Sequence, residues 1–89
     1  MLNLPQIVTE EEEEMFFKNI AANVKKIRHL KQMSQLETAL SIGQQSSGFY
    51  ASIENHSHGK HFNLTHLFRL SKLFDVPITD FFKESDEII

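Results

Sequence analysis

An all-α domain is the fold class this sequence predicts, and three observations predict it. Apolar residues recur at helical spacing in two stretches, Phe17 to Ile27 and Leu64 to Leu73. Caps and breakers punctuate the chain: Ser34-Gln35-Leu36-Glu37, Gly43, Asn63 and Asp75-Val76-Pro77. The chain has 89 residues, which fits one domain. A core this small is marginal but feasible for helices, and a second subunit would help it.

Residues 1–9 hold Leu2, Leu4, Ile7 and Val8 around Pro5 and predict a short, partly extended arm. The acidic run Glu10–Glu14 leads into helix, where carboxylates suit the positive end of the dipole. The first helix is expected from about Glu12 to Lys31. Phe17, Ile20, Val24 and Ile27 (then Leu30 or Lys31) follow its apolar period, with Lys18, Lys25, Lys26 and Arg28 mostly on other faces.

A second helix begins at Ser34, which pairs with Glu37 in a capping box. Leu36, Ala39 and Leu40 offer its apolar side, and Ile42-Gly43 closes it, glycine taking a left-handed conformation cheaply. Gln44-Gln45-Ser46-Ser47 leads into a third helix that either serine can cap. Tyr50 and Ile53, three apart, should face inward. Ser47, Gly48, Phe49, Ala51 and Ser52 should face outward. Glycine inside a helix is unfavourable by roughly 1 kcal/mol against alanine. Close approach of another backbone is one reason to keep it.

The segment Asn55 to His61 has no apolar residue and reads as a loop. Asn63 caps the fourth helix, with Phe62 and Leu67 placed as a hydrophobic staple. Leu64, Leu67, Phe68, Leu70 (or Ser71) and Leu73 give it a broad apolar face. Asp75-Val76-Pro77 ends it, and Thr79 is expected to cap a short fifth helix carrying Phe81 and Phe82. The expected division is an acidic arm over 1–12, a helical domain over 13–83 and an acidic tail over 84–89.

The net charge is −3, but it is unevenly spread. All nine Lys and Arg lie between Met15 and Lys83, opposed there by Glu37, Glu54, Asp75 and Asp80 alone, which leaves that segment at +5. An acidic head and tail flank it. Such an excess is compatible with nucleic acid without demanding it. There is no cysteine, so no disulfide and no thiolate metal site. The apolar runs are too short to span a bilayer, and the N-terminus does not read as a signal peptide. A soluble cytoplasmic protein without membrane contact is the expectation.

The ordered set Val24-Lys25-Lys26-Ile27-Arg28, Met33-Ser34-Gln35, Glu37, Ala39, Gly43, Tyr50-Ala51-Ser52-Ile53-Glu54-Asn55 and Leu70 to Phe82 resembles the lambda-repressor/Cro-like, or XRE, family of helix-turn-helix proteins. It covers about two-thirds of the chain, residues 20 to 82. The resemblance implies a compact bundle of five helices, with helices 2 and 3 as the DNA-binding unit and helix 3 as the recognition helix. It further implies a transcription regulator, a repressor that binds a two-fold operator on double-stranded DNA as a homodimer. Two-fold sites place recognition helices ~34 Å apart.

The sequence departs from the family pattern in three places. The spacing from Gly43 to Glu54 is one residue longer than usual. His56 stands where glycine is common, before a loop about two residues longer, and Phe62 stands where proline is common. The reading face has no Arg, Lys or Asn at its centre. The resemblance implies DNA contacts from Gln35, on a phosphate, and from the outward positions Ser47, Gly48, Phe49 and Ser52; Gln44, Gln45 and Ser46 near the start of helix 3 are further candidates. The glutamines suit adenine, and Phe49 suits a thymine methyl. His58, Lys60 and His61 place a polar loop over the DNA backbone.

The rival reading of the same fold is a protein-interaction module or antitoxin whose acidic arm and aromatic surface bind a partner protein. His56, His58, His61 and His66 raise a metal site, but without cysteine or a free carboxylate nearby the loop reading is preferred. No nucleophile elbow, paired carboxylates or phosphate-cradling glycine loop appears, so neither catalysis nor a cofactor is expected.

Overall fold

Thr9, not a residue of the acidic run, opens the first helix. Its hydroxyl accepts from the Glu12 N–H while the Glu12 carboxylate accepts from Thr9 N–H, a complete capping box. The computed structural model describes residues 7–84. Residues 1–6 of the expected arm and residues 85–89 of the expected tail therefore lie outside it. Glu10 to Glu13 form the first turn of the helix itself.

Among the described residues, four α-helices follow in chain order: α1 Glu10–Leu30, α2 Gln35–Ser41, α3 Ser47–Glu54 and α4 Leu64–Phe74. Short 3₁₀ turns occupy Ser57–Gly59 and Ile78–Phe82, and the described residues contain no strand. The expected fifth helix is thus a five-residue 3₁₀ turn. Pro77, rather than Thr79, precedes it, and no side chain caps it. Its bonds skip only three residues, as from Asp80 N–H to Pro77 O at 3.0 Å.

The expected caps of α2 and α4 are in place. Ser34 and Glu37 cap each other's backbone, and Asn63 accepts from His66 N–H at 2.7 Å. Of the two candidate serines, Ser46 caps α3. Each such cap is worth about 1 kcal/mol.

The core comprises Ile20, Ala21, Val24 and Ile27 of α1, Ala39 and Ile42, Tyr50 and Ile53, Phe62, then Leu67, Leu70, Phe74 and Phe81. Ile20, Val24 and Ile27 of α1 and Tyr50 and Ile53 of α3 are buried as expected, Phe17 is half-buried, and neither Leu30 nor Lys31 continues the buried face. The apolar faces of α2 and α4 are narrower than their composition suggests. Leu36 and Leu40 are 53% and 58% exposed. One turn apart, they share the outer side of α2 while Thr38, Ala39 and Ile42 turn inward. Leu64 and Phe68 are likewise exposed, as is Leu30 at the end of α1.

Asn23 is fully buried on α1 and donates to Phe81 O at 2.9 Å and Lys83 O at 2.7 Å. It ties the last turn to the first helix, which lets Phe81 enter the core without a fifth α-helix. No helix among the described residues is long and apolar enough to cross a membrane.

Candidate nucleic-acid interface

Eight residues fix α3, and two kinds of contact hold it. Tyr50 and Ile53 are buried, so one side of the helix is pinned in the core. At its end, Glu54 meets Arg28 of α1 in a buried fork: Nε to Oε2 is 2.9 Å and Nη2 to Oε1 is 2.8 Å. The planar guanidinium matches a carboxylate in this way. Arg28 Nη1 also donates to Met33 O at 2.7 Å, ahead of α2. Gln35, the first residue of α2, adds a 3.3 Å bond to Glu54 Oε1. One polar cluster therefore locks α1, α2 and α3 together.

The cluster governs its own protonation. Burial alone would raise the Glu54 carboxyl, but hydrogen bonds from Arg28, with smaller help from Tyr50 and Gln35, hold it below the usual range. The Glu54 bond in turn raises the Arg28 guanidinium, against the pull of burial. Tyr50 is pushed far above the usual phenol range, first by burial and then by the Glu54 charge. Its hydroxyl is buried and makes no hydrogen bond of good geometry, so Arg28 and Gln35 supply the well-formed bonds to the carboxylate.

The turn into α3 is built on Gly43, whose φ of +87° belongs to the left-handed region. Gln44 N–H returns to Ala39 O at 2.8 Å, and Arg69 of α4 donates to Ile42 O at 2.9 Å. This holds Gln44 and Gln45 just ahead of α3. Gln45 is exposed. Gln44 is half-buried and meets His66 Nε2 at 3.0 Å.

The outer side of α3 carries Ser47, Gly48, Phe49 and Ser52. Gly48 and Phe49 are exposed, and Ser47 and Ser52 are half-buried. Two serine hydroxyls are already engaged: Ser46 accepts from Phe49 N–H at 3.3 Å, and Ser52 donates to Gly48 O at 3.0 Å. A hydroxyl keeps further capacity after one bond. The Lys60 ammonium stands 4.8 Å from the Phe49 ring centre, so a cation adjoins the α3 surface.

The other loop residues behave differently. His61 stacks on Phe17 of α1, ring centres 3.9 Å apart, which draws its ring toward α1 rather than α3. The side chain of His58 lies outside the described residues. His56 takes φ +54°, the left-handed conformation that suits a glycine. Its Nδ1 is buried without a partner, and its Nε2 lies 3.8 Å from Glu14. Among the described residues, no three His, Asp or Glu side chains gather as a metal site needs.

Two participants escape a reading by periodicity. Arg28 reads as one more basic residue of an outer face, yet it is the buried partner of Glu54, and nothing local links positions 28 and 54. His66 reads as a loop-proximal imidazole. Its spacing from Asn63 is the available signal, because it occupies the place of Glu or Gln in a capping box.

Comparison of the chain with protein-family models, with curated proteins and with solved structures found no match.

Proposed function

We propose that the chain is a sequence-specific DNA-binding regulator of the lambda-repressor/Cro-like helix-turn-helix type, acting as a homodimeric repressor. The observation that carries this reading is the placement of α3. It is pinned by Tyr50, Ile53 and Glu54 on one side and presents Ser47, Gly48 and Phe49 on the other. Eight residues at 1.5 Å each make a rod about 12 Å long, comparable with the width of the major groove. Gln44 and Gln45 stand at its N-terminal end, where recognition helices present their base contacts. Lys60 beside Phe49 supplies a cation for the flanking phosphates. One such domain makes few phosphate contacts, so a second copy is needed for useful affinity.

Selection from random duplexes, followed by titration at several salt concentrations, tests this. One enriched two-fold site with binding that weakens steeply as salt rises is the expected result. No enriched site from a folded preparation would overturn it.

A second reading, a module that binds a partner protein, draws on a different surface. Phe16 and Phe82 are 54% and 42% exposed and stack with ring centres 6.3 Å apart. Met15 is exposed beside them, and Glu12 and Glu84 border the same hollow. Replacing Gln45, Ser47 and Ser52 together with alanine separates the two. Operator binding is lost under the first reading, and partner binding survives under the second.

A further inference from the structure

His66 sits where two polar networks meet. On one side it completes the cap of α4: Asn63 N–H donates to His66 Nδ1 at 3.1 Å, and His66 N–H donates back to the Asn63 side chain at 2.7 Å. On the other side its Nε2 is 3.0 Å from the position of the Gln44 amide nitrogen, and a half-turn of that amide brings its oxygen to the same contact. A neutral imidazole has one donor nitrogen and one acceptor nitrogen. The Asn63 N–H can approach only a lone pair, so Nδ1 is the acceptor and Nε2 carries the proton. Nε2–H then needs an acceptor, and the Gln44 amide can offer only its oxygen. The end of the amide facing Nε2 is therefore Oε1, and the NH2 group points away.

We infer that His66 is a positioning residue for Gln44, holding its amide oxygen so that its NH2 faces the ligand. This rests on the DNA reading above, and it changes what Gln44 recognises there. Bidentate reading of adenine needs a glutamine oxygen and NH2 presented together. A glutamine held by its oxygen offers donors outward. It suits the paired acceptors of guanine (N7 and O6) or thymine O4, whereas adenine sets beside its N7 an N6–H2 donor that such a glutamine cannot satisfy. Burial, with a lesser push from the nearby Arg69 charge, lowers the His66 imidazole's pKa, which keeps it neutral as this role requires. Phe62 packs edge-on against the same ring, 6.0 Å between centres, and helps to fix its plane.

Two measurements on the full chain decide it. Long-range proton–nitrogen NMR spectra of the free protein report the tautomer of His66. The Nε2–H form is expected, and a dominant Nδ1–H form, or ordinary free-histidine behaviour, would overturn the inference. This needs no DNA, so it stands even if the selection finds no site. With a selected duplex in hand, binding to single-base variants is compared for wild type, Gln44→Ala, His66→Phe and His66→Gln. Glutamine at position 66 can still cap and donate, which guards against loss of the fold. Gln44→Ala should cost about 2- to 10-fold at one guanine or thymine position. His66→Phe should lose the same preference, and His66→Gln should keep it. An adenine at that position, or a His66→Phe variant that retains the preference, would overturn the assignment.

Discussion

Replacing Gly48 with alanine separates stability from binding, because the two should move in opposite directions. Gly48 is the second residue of α3 and is exposed, with a backbone that does not need glycine. A methyl group built there meets only Ser46 Oγ, at 3.5 Å, an ordinary contact. The folded state therefore accepts alanine without strain, while the unfolded chain loses freedom. The expected gain is about 0.5–1 kcal/mol, somewhat reduced by the position near the helix start. For a domain this size, that raises Tm by roughly 2–8 °C. Binding should fall, because the added methyl occupies the space in which a DNA backbone or base edge would lie. Overpacking of about 1–3 kcal/mol corresponds to a loss of about 5- to 150-fold. Thermal melting followed by circular dichroism reads the first quantity, and titration of the selected duplex reads the second. A lowered Tm would refute the placement of Gly48. A raised Tm with unchanged affinity would refute close approach at this face.

Three further outcomes follow from the same contacts. Glu54→Gln strips the charge from a buried pair and leaves Arg28 uncompensated; a loss of about 3–5 kcal/mol is expected in urea titration, and a loss under 1 kcal/mol would show that the pair is not buried in solution. Stability should also fall with acid in two stages. His66 has a lowered pKa, so the unfolded chain takes up the proton first and stability declines as pH drops below the usual histidine value of about 6.5. Glu54 is also depressed, so its contribution is present above the ordinary carboxylate range and is lost as pH falls through its folded value. Urea midpoints from pH 8 to 3 should show both stages, and His66→Gln should remove only the upper one. Gly43→Ala should cost about 1–2 kcal/mol, since φ is +87° and the new methyl would approach Arg69 Nη1 to 3.2 Å; an unchanged urea midpoint would contradict that turn.

Much of the helical layout is legible in the sequence because its signals are local. Ser34 with Glu37, Asn63, and Gly43 act within a few residues of themselves, so short-range chemistry sets where α2 and α4 begin and where α2 stops. The spacing of Ile20, Val24 and Ile27 likewise declares the buried face of α1, and Tyr50 with Ile53 that of α3. Thr9 was equally legible as the first cap, but the acidic run draws attention past it.

Tertiary structure decided the rest, because the deciding contacts join distant residues. Leu36 and Leu40 are as apolar as Ala39 and Ile42, yet only the packing of α2 on α3 and α4 determines which pair is covered. Asn23 becomes the anchor of the last turn only when Phe81 and Lys83 are folded back onto α1. Arg28 is a surface cation in one dimension and a buried clamp in three, since Glu54 lies 26 residues away. The amide of Gln44 acquires a direction in the same way, from an imidazole 22 residues later. Local chemistry chose the helices, and long-range polar contacts chose what each of them presents.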